Sequence, residues 1–326
     1  MQYDLIVIGA GPGGYVAAIR AAQLGLKTAV AERAEVGGTC LNRGCIPTKT
    51  LMHSANLYRE IGEAGKMGVN VTGAEADFKA MHARKAQVVE QLRGGVAQLL
   101  KGNGIDVLEG EAAFVSPESI TVGGETYTAK NFIIATGSKP AVPPIPGADL
   151  PGVVTSDEML DTDSCDYKEL VIIGGGVIGV EMAGVYNGIG RKVTIIEALD
   201  RILANMDREI SQNLSMIMKK RGVAVNTGAM VTGITQEGGR LTCTFERKGK
   251  TESVSADGVL ICVGRRAVTE GLNLEAAGVE TERGRVKVGE DYKTNVPHIF
   301  AIGDVTGGIQ LAHAAEAQGI ACVEGI

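Results

Sequence analysis

Asp4-Leu-Ile-Val-Ile-Gly-Ala-Gly-Pro-Gly-Gly14 and Glu169-Leu-Val-Ile-Ile-Gly-Gly-Gly-Val-Ile-Gly179 are two versions of one pattern. Each is a short apolar run, then Gly-x-Gly-x-x-Gly, then residues at helical spacing. Each continues to a second apolar run that ends on an acid, Lys27 to Glu32 and Lys192 to Glu197. In both, the acid falls 23 residues after the first glycine. A lone Gly-x-Gly-x-x-Gly says little, because glycine turns occur in many α/β folds. Two in the same strand–turn–helix frame, each with its acid at the same distance, define a pair of βαβ units. The chain therefore reads as α/β with two Rossmann-like units.

The rest of the chain is arranged around these units. Residues 77–101 read as a long amphipathic helix, with Val88, Val89, Leu92, Val96, Leu99 and Leu100 on its apolar side. Residues 111–129 alternate and contain Gly123-Gly124, a hairpin signal. Asn131 to Ser138 reads as a buried strand entering a loop. Five prolines in 140–151 mark a connector. A helix over 207–221, a meander over 223–255 and a strand ending at Cys262 to Arg265 follow the second unit. The chain then gives Ile299-Phe-Ala-Ile-Gly-Asp304 and the start of a helix near 312–322.

Composition narrows the function. The 326 residues suggest two domains at roughly 150 residues each. A net charge of -6 with no Lys/Arg block argues against nucleic acid or an anionic membrane as partner. The apolar stretch 170–186 is broken by glycines and Glu181, so it does not read as a membrane span. No basic segment precedes the first apolar run, so no secretory signal is expected, and the location reads as cytoplasmic. Six cysteines are too few for a disulfide scaffold of this length. His53 is the only histidine within ten residues of Cys45, so no metal site is expected there.

The glycine turns allow backbone to approach a pyrophosphate, and the helix N-terminus behind each offers N–H groups to the phosphates. The terminal acid accepts from ribose hydroxyls. Glu197 repels a 2′-phosphate and so favours NAD over NADP, a preference that Arg201 nearby tempers. A second feature is Gly37-Gly-Thr-Cys-Leu-Asn-Arg-Gly-Cys-Ile-Pro-Thr-Lys-Thr50. Pro47 suits a first helical turn, and Leu51, Ala55, Leu57, Tyr58 and Ile61 continue at helical spacing. Cys45 is thereby placed at a helix N-terminus, which lowers a thiol pKa and favours the thiolate. The alternative is two inert buried cysteines. The surrounding glycines and proline, between two dinucleotide units, favour redox catalysis.

This cysteine run resembles that of the pyridine nucleotide–disulfide oxidoreductases, and within them the dihydrolipoamide dehydrogenase group. Ala135-Thr-Gly-Ser138, Cys262-Val-Gly-Arg-Arg266 and Ala301-Ile-Gly-Asp304 are similar to further motifs of that family. The resemblance implies a domain inserted into another: FAD-binding 1–145 and 271–326, NAD-binding 146–270. It implies that Gly9, Gly11, Pro12, Gly14, Glu32 and Arg33 hold FAD, with Gly38, Thr39, Ala112, Thr136, Gly137, Asp304 and Ala312. Gly174, Gly176, Val177, Gly179, Glu197, Val231 and Gly264 would hold NAD. Cys45 would face the flavin, Cys40 would exchange with substrate, and Lys49 would lie near the flavin and pair with Glu181.

The resemblance further implies a dihydrolipoamide substrate on a lipoyl domain or carrier protein, and a homodimer for the full-length protein. Relatives of this type carry a further interface domain with a His-Pro acid–base motif. None of the four histidines here precedes a proline, so the sequence reads as a form without that domain, with weak lipoamide turnover expected. Thioredoxin reductases of similar length carry a Cys-x-x-Cys pair in the NAD domain, which this chain does not. The alternatives are another NAD(P)H-dependent disulfide reductase of the glutathione reductase kind, which a marked NADPH preference would favour, and a non-catalytic flavin-binding module. Met206, Met216 and Met218 read as helix core packing, His53, His82 and His298 as surface or satisfied side chains, and His313 as structural.

Overall fold

The computed structural model describes residues 2–326 and divides into two compact units. One holds the residues up to Cys45 with Val89–Lys139 and Arg266–Ile326, and the other holds Ile46–Val88 and Pro140–Arg265. The helices used below are α1 (Pro12–Gln23), α2 (Gly38–Arg43), α3 (Cys45–Glu63), α4 (Phe78–Gly102), α5 (Ser156–Asp161), α6 (Val177–Gly188), α7 (Arg208–Lys220) and α8 (Ala312–Glu324).

In the first unit, strand Gln2–Ile8 lies between Thr28–Glu32 and Glu125–Ile134, parallel to both. Its run Leu5 to Ile8 is buried throughout, as expected of a parallel strand covered on both faces. Asp106–Glu109 extends the sheet beyond Thr28–Glu32, and Ile299–Ala301 pairs in parallel with Glu125–Ile134. The antiparallel strands Ser119–Val122 and Ala112–Ser116 complete seven strands, and the hairpin turns at Gly123-Gly124. Helix α1 follows the glycine turn directly, with Pro12 in the first-turn position where its missing N–H costs nothing. Small residues let α1 and α8 touch: a Cβ on Gly319 would lie 2.7 Å from Gly13 O, and one on Gly13 would lie 3.1 Å from Ala315 Cβ. Arg20 closes the far end of this pair through two bonds to Glu324 Oε1, at 2.6 and 2.9 Å.

The second unit has five parallel strands in the order Ala224–Thr227, Lys192–Glu197, Glu169–Ile173, Gly258–Ile261, Val153–Thr155. A separate antiparallel meander runs Ala229–Glu237, Arg240–Arg247, Lys250–Ala256. Ala224–Thr227 therefore belongs to the parallel sheet and not to the meander that the sequence suggested for 223–255. Helix α5 is only six residues long and is closed by a capping box from Thr155 and Glu158.

Three further expectations need correction. The long helix runs 78–102, and its inward stripe is Phe78, Met81, His82, Lys85, Val89, Val96 and Leu100, while Leu92 and Leu99 face out. Apolar spacing alone misplaced the stripe because Lys85 is on it: its ammonium donates to Leu160 O at the end of α5. His82 is neither surface nor satisfied. It is 4% exposed, stacks on Phe78 at 4.4 Å, and its Nδ1 has no partner among the described residues. Of the three methionines, Met218 is core, Met216 is exposed, and Met206 is exposed and precedes α7.

Candidate active site

The two glycine turns have the same geometry, residue for residue. The first glycine of each is left-handed, φ +103° at Gly9 and +111° at Gly174, a region that strongly favours glycine. A Cβ at Gly9 would lie 2.5 Å from Ala135 O, and one at Gly174 would lie 2.5 Å from Cys262 O. The third glycine seats the helix: a Cβ at Gly14 would fall on Gly9 O, and one at Gly179 on Gly174 O. The second glycine faces open space, with only Gly38 Cα at 3.9 Å from a Cβ at Gly11 and nothing within 4 Å at Gly176. These are the three roles that a dinucleotide turn gives its glycines, so the residues present fit a pyrophosphate at each turn. Pro12 and Val177 open the helices behind the turns.

The strand-end acids are pre-set in the same way. Glu32 Oε2 accepts from Ala10 N at 2.8 Å and Oε1 from Ala34 N at 2.9 Å. Glu197 Oε2 accepts from Gly175 N at 2.5 Å and Oε1 from Leu199 N at 2.7 Å. Each oxygen keeps a lone pair for a ribose hydroxyl. Arg201, the residue that tempered the coenzyme preference, turns onto its own loop, donating to Ala204 O at 2.9 Å and to Asp200 at 3.3 Å.

Cys40 and Cys45 form a disulfide with Cα atoms 4.7 Å apart. Cys40 sits in α2 and Cys45 is the first residue of α3, whose first turn carries no acidic side chain. The partial positive charge of that helix end is thus uncompensated and favours a thiolate when the bond opens. Lys49 lies four residues on, on the same face of α3 as Cys45. Its Nζ donates to Glu181 Oε1 on α6 at 2.6 Å, with the carboxylate mostly buried.

Five candidates of the first unit, Gly9, Glu32, Arg33, Ala112 and Thr136, line one cleft together with Glu270 among others. Thr136 Oγ1 donates to Val268 O at 2.6 Å, and Gly137 is left-handed at φ +68°. Asp304 lies in the turn before α8, and its carboxylate is held by Ser138 Oγ at 2.5 Å. The turn itself is held by Gln318, which accepts from Gly303 N at 2.7 Å. Ala312 is the first residue of α8, and Gly38 and Thr39 open α2. In the second unit, Val231 is buried in the meander opposite Phe245, and Gly264, at φ +138°, has open space where a side chain would be.

Among the supporting residues, Gln318 and Arg93 carry no motif signal, whereas Ser138, Asn42 and Cys262 lie in the quoted runs. Ser138 and Gln318 brace Asp304. Asn42 and Arg93 brace the disulfide loop. Cys262 supports the second turn from below, its thiol donating weakly toward Gly174 O and Ile173 O at 3.4 and 3.5 Å. Burial, with the Glu197 charge adding, pushes that thiol up to about 12, so it stays protonated. Cys262 opens the run Cys262-Val-Gly-Arg-Arg266 and takes the place beneath its turn that Ala135, first of Ala135-Thr-Gly-Ser138, takes beneath the other.

Two dinucleotide turns and a disulfide at a helix N-terminus define an NAD(P)-dependent flavoprotein disulfide oxidoreductase. The family profile described as pyridine nucleotide-disulphide oxidoreductase matches residues 3–319, and the chain belongs to that family. Dihydrolipoyl dehydrogenase from Bacillus subtilis is 45% identical over 337 residues, covering 100% of this chain and 70% of that relative. The protein of the same name from Acholeplasma laidlawii is 44% identical over 330 residues, covering 100% of this chain and 96% of that relative. The Cu(II) complex of the HOCl-induced flavoprotein disulfide reductase RclA from Escherichia coli superposes with a TM-score of 0.87 at 34% identity, over 98% of this chain and 69% of that one. Membership implies FAD and NAD(P) as cofactors and makes Cys40–Cys45 the redox-active disulfide. No described helix is long and apolar enough to cross a membrane.

Proposed function

We propose that Cys40–Cys45 exchanges electrons between FAD and an external dithiol, with a dihydrolipoyl group as the substrate and NAD⁺ as the final acceptor. The observation that carries this reading is the placement of Cys45 as the first residue of α3, with Lys49 on the same face. A substrate thiolate attacks Cys40 Sγ, the Cys40–Cys45 bond breaks, and Cys45 leaves as a thiolate stabilised by the helix end. The second substrate thiolate then attacks the mixed disulfide and releases Cys40. The substrate leaves as a disulfide, its two protons go to solvent or to Cys40, and two electrons rest on the cysteine pair. FAD, when bound, relays those two electrons to the nicotinamide.

In this reading Gly9, Gly11, Gly14 and Glu32 position the FAD pyrophosphate and adenosine ribose, and Asp304, braced by Ser138, meets the ribitol chain. Gly174, Gly176, Gly179 and Glu197 position NAD. Lys49, fixed by Glu181, supplies a cation where negative charge develops on reduction. NAD rather than NADP is supported by Glu197, whose oxygens are already committed to backbone donors, and by Arg201 turning away to Ala204 O.

A second reading has the same residues reduce a different disulfide at the expense of NAD(P)H. The likeness to a flavoprotein disulfide reductase of known structure favours it, and the disulfide geometry serves either direction. Anaerobic titration with NADH, then with dihydrolipoamide, tests both. Uptake of two electrons beyond the flavin by wild type, lost in Cys45→Ser, supports the disulfide path. Reduction by NADH without reduction by dihydrolipoamide would remove the lipoyl reading and leave the second.

A further inference from the structure

Asn42 lies between the two redox cysteines and is 8% exposed. Its Nδ2 donates to Val36 O and Gly38 O, both at 3.0 Å, and to Glu35 O at 3.4 Å. The loop it ties contains Gly37 and Gly38, both left-handed, at φ +99° and +58°. An amide that commits its NH₂ group in this way also needs a donor for its own oxygen, or a buried acceptor is left unsatisfied. Arg93 of α4 provides it, Nε to Asn42 Oδ1 at 2.9 Å, and the charge strengthens that bond.

Helix α2, which carries Cys40, is six residues long, far too short to hold itself together in isolation. In the oxidised chain the disulfide anchors it to α3. Reduction removes that covalent anchor once in every turnover. The Asn42 amide then has to keep the helix in register, and the amide depends on Arg93.

We propose that Arg93 is a positioning residue for thiol–disulfide interchange, holding Cys40 over Cys45 through Asn42 while the pair is reduced. The proposal rests on the redox role of Cys40–Cys45. Arg93 touches neither sulfur and takes part in no electron transfer. Its contribution is geometric, and it belongs to one half of the cycle.

That state dependence separates it from a merely structural role. The FAD-loaded full chain is compared as wild type, Arg93→Met and Arg93→Lys, each oxidised and anaerobically reduced with dithiothreitol. Backbone hydrogen exchange is followed by mass spectrometry over residues 35–44. In Arg93→Met, exchange in this segment is expected to rise about tenfold in the reduced form and by under twofold in the oxidised form. Disulfide re-formation with oxidised dithiothreitol, measured by quenching and thiol labelling, is expected to slow roughly tenfold. Arg93→Lys keeps a cationic donor and is expected to recover most of both. Equal exchange increases in the two redox states, or re-formation at the wild-type rate, would overturn the proposal. If dithiothreitol does not reduce the wild-type pair, the redox role itself fails and the proposal falls with it.

Discussion

At Gly11 a side chain would meet Gly38 Cα at 3.9 Å, whereas at Gly176 it would meet nothing within 4 Å. The two turns are otherwise superimposable in their roles. The first is flanked by its own chain, because the loop leading into α2 and the redox disulfide runs back beside it. The second stands open. This difference suits the proposed assignment of FAD to the first turn and the nicotinamide coenzyme to the second. A cofactor that stays through many turnovers benefits from a flanked phosphate site, and a coenzyme that leaves after each hydride needs an open one. The supports differ too: Ala135 lies beneath the first turn and Cys262 beneath the second.

The largest effects should come from the helix-seating glycines. Gly14→Val is expected to leave the chain without FAD, read as flavin absorbance per protein. Gly179→Val is expected to keep the flavin while the KM for NADH rises about a hundredfold. Loss of FAD from both variants would break the comparison, because it would mean that the turns do not serve separate ligands. A labelling experiment sharpens the contrast beneath the turns. After reduction, iodoacetamide at pH 8 should modify Cys40 and Cys45 rapidly and spare Cys165, Cys243, Cys262 and Cys322, all buried with thiols raised by burial. Rapid labelling of Cys262 would show that the second turn opens as a unit.

Acid should distinguish the units next. His82, in the second unit, is held down at about 4 by burial, below its ordinary 6.5. The unfolded chain therefore binds this proton more readily than the folded one. Stability from this group is complete above about pH 6.5 and falls as the pH approaches 4, with roughly 2 kcal/mol lost by pH 5. Denaturant melts at pH 7 and pH 5 should show this loss, and His82→Leu should remove it. The smallest effect tests one of the differences inside the turns. Ala10 in the first turn corresponds to Gly175 in the second, where a Cβ would lie 2.8 Å from Ile202 Cγ2 and 3.1 Å from Glu197 Cβ. Gly175→Ala should raise the KM for NADH by roughly three- to tenfold through displacement of Glu197, about 1 kcal/mol. An unchanged KM would show that Ile202 yields instead.

Both Rossmann units, the hairpin at Gly123-Gly124 and the helix carrying Cys45 were legible because each is written in consecutive residues. Period, glycine placement and proline are local signals. The braces were not legible. Asn42 and Arg93 are 51 residues apart, and Ser138 and Asp304 are 166 apart. Nothing in either neighbourhood announces the other. The misplaced stripe of α4 has a related cause. A lysine on a buried face contradicts polarity rules unless its acceptor is known, and Leu160 O comes from another helix. His82 misled for the same reason, since histidine in a polar stretch reads as surface.

In the proposed NAD reading Glu197 has two jobs, and the second limits how far the coenzyme can be re-engineered. Its carboxylate closes the loop by accepting from Gly175 N and Leu199 N before any nucleotide arrives. Replacing it with a cationic side chain to welcome a 2′-phosphate would remove the repulsion but orphan both amides. Switching this chain to NADPH is therefore a problem of loop closure before it is one of charge, and a successful design must bring a new acceptor along with the new cation.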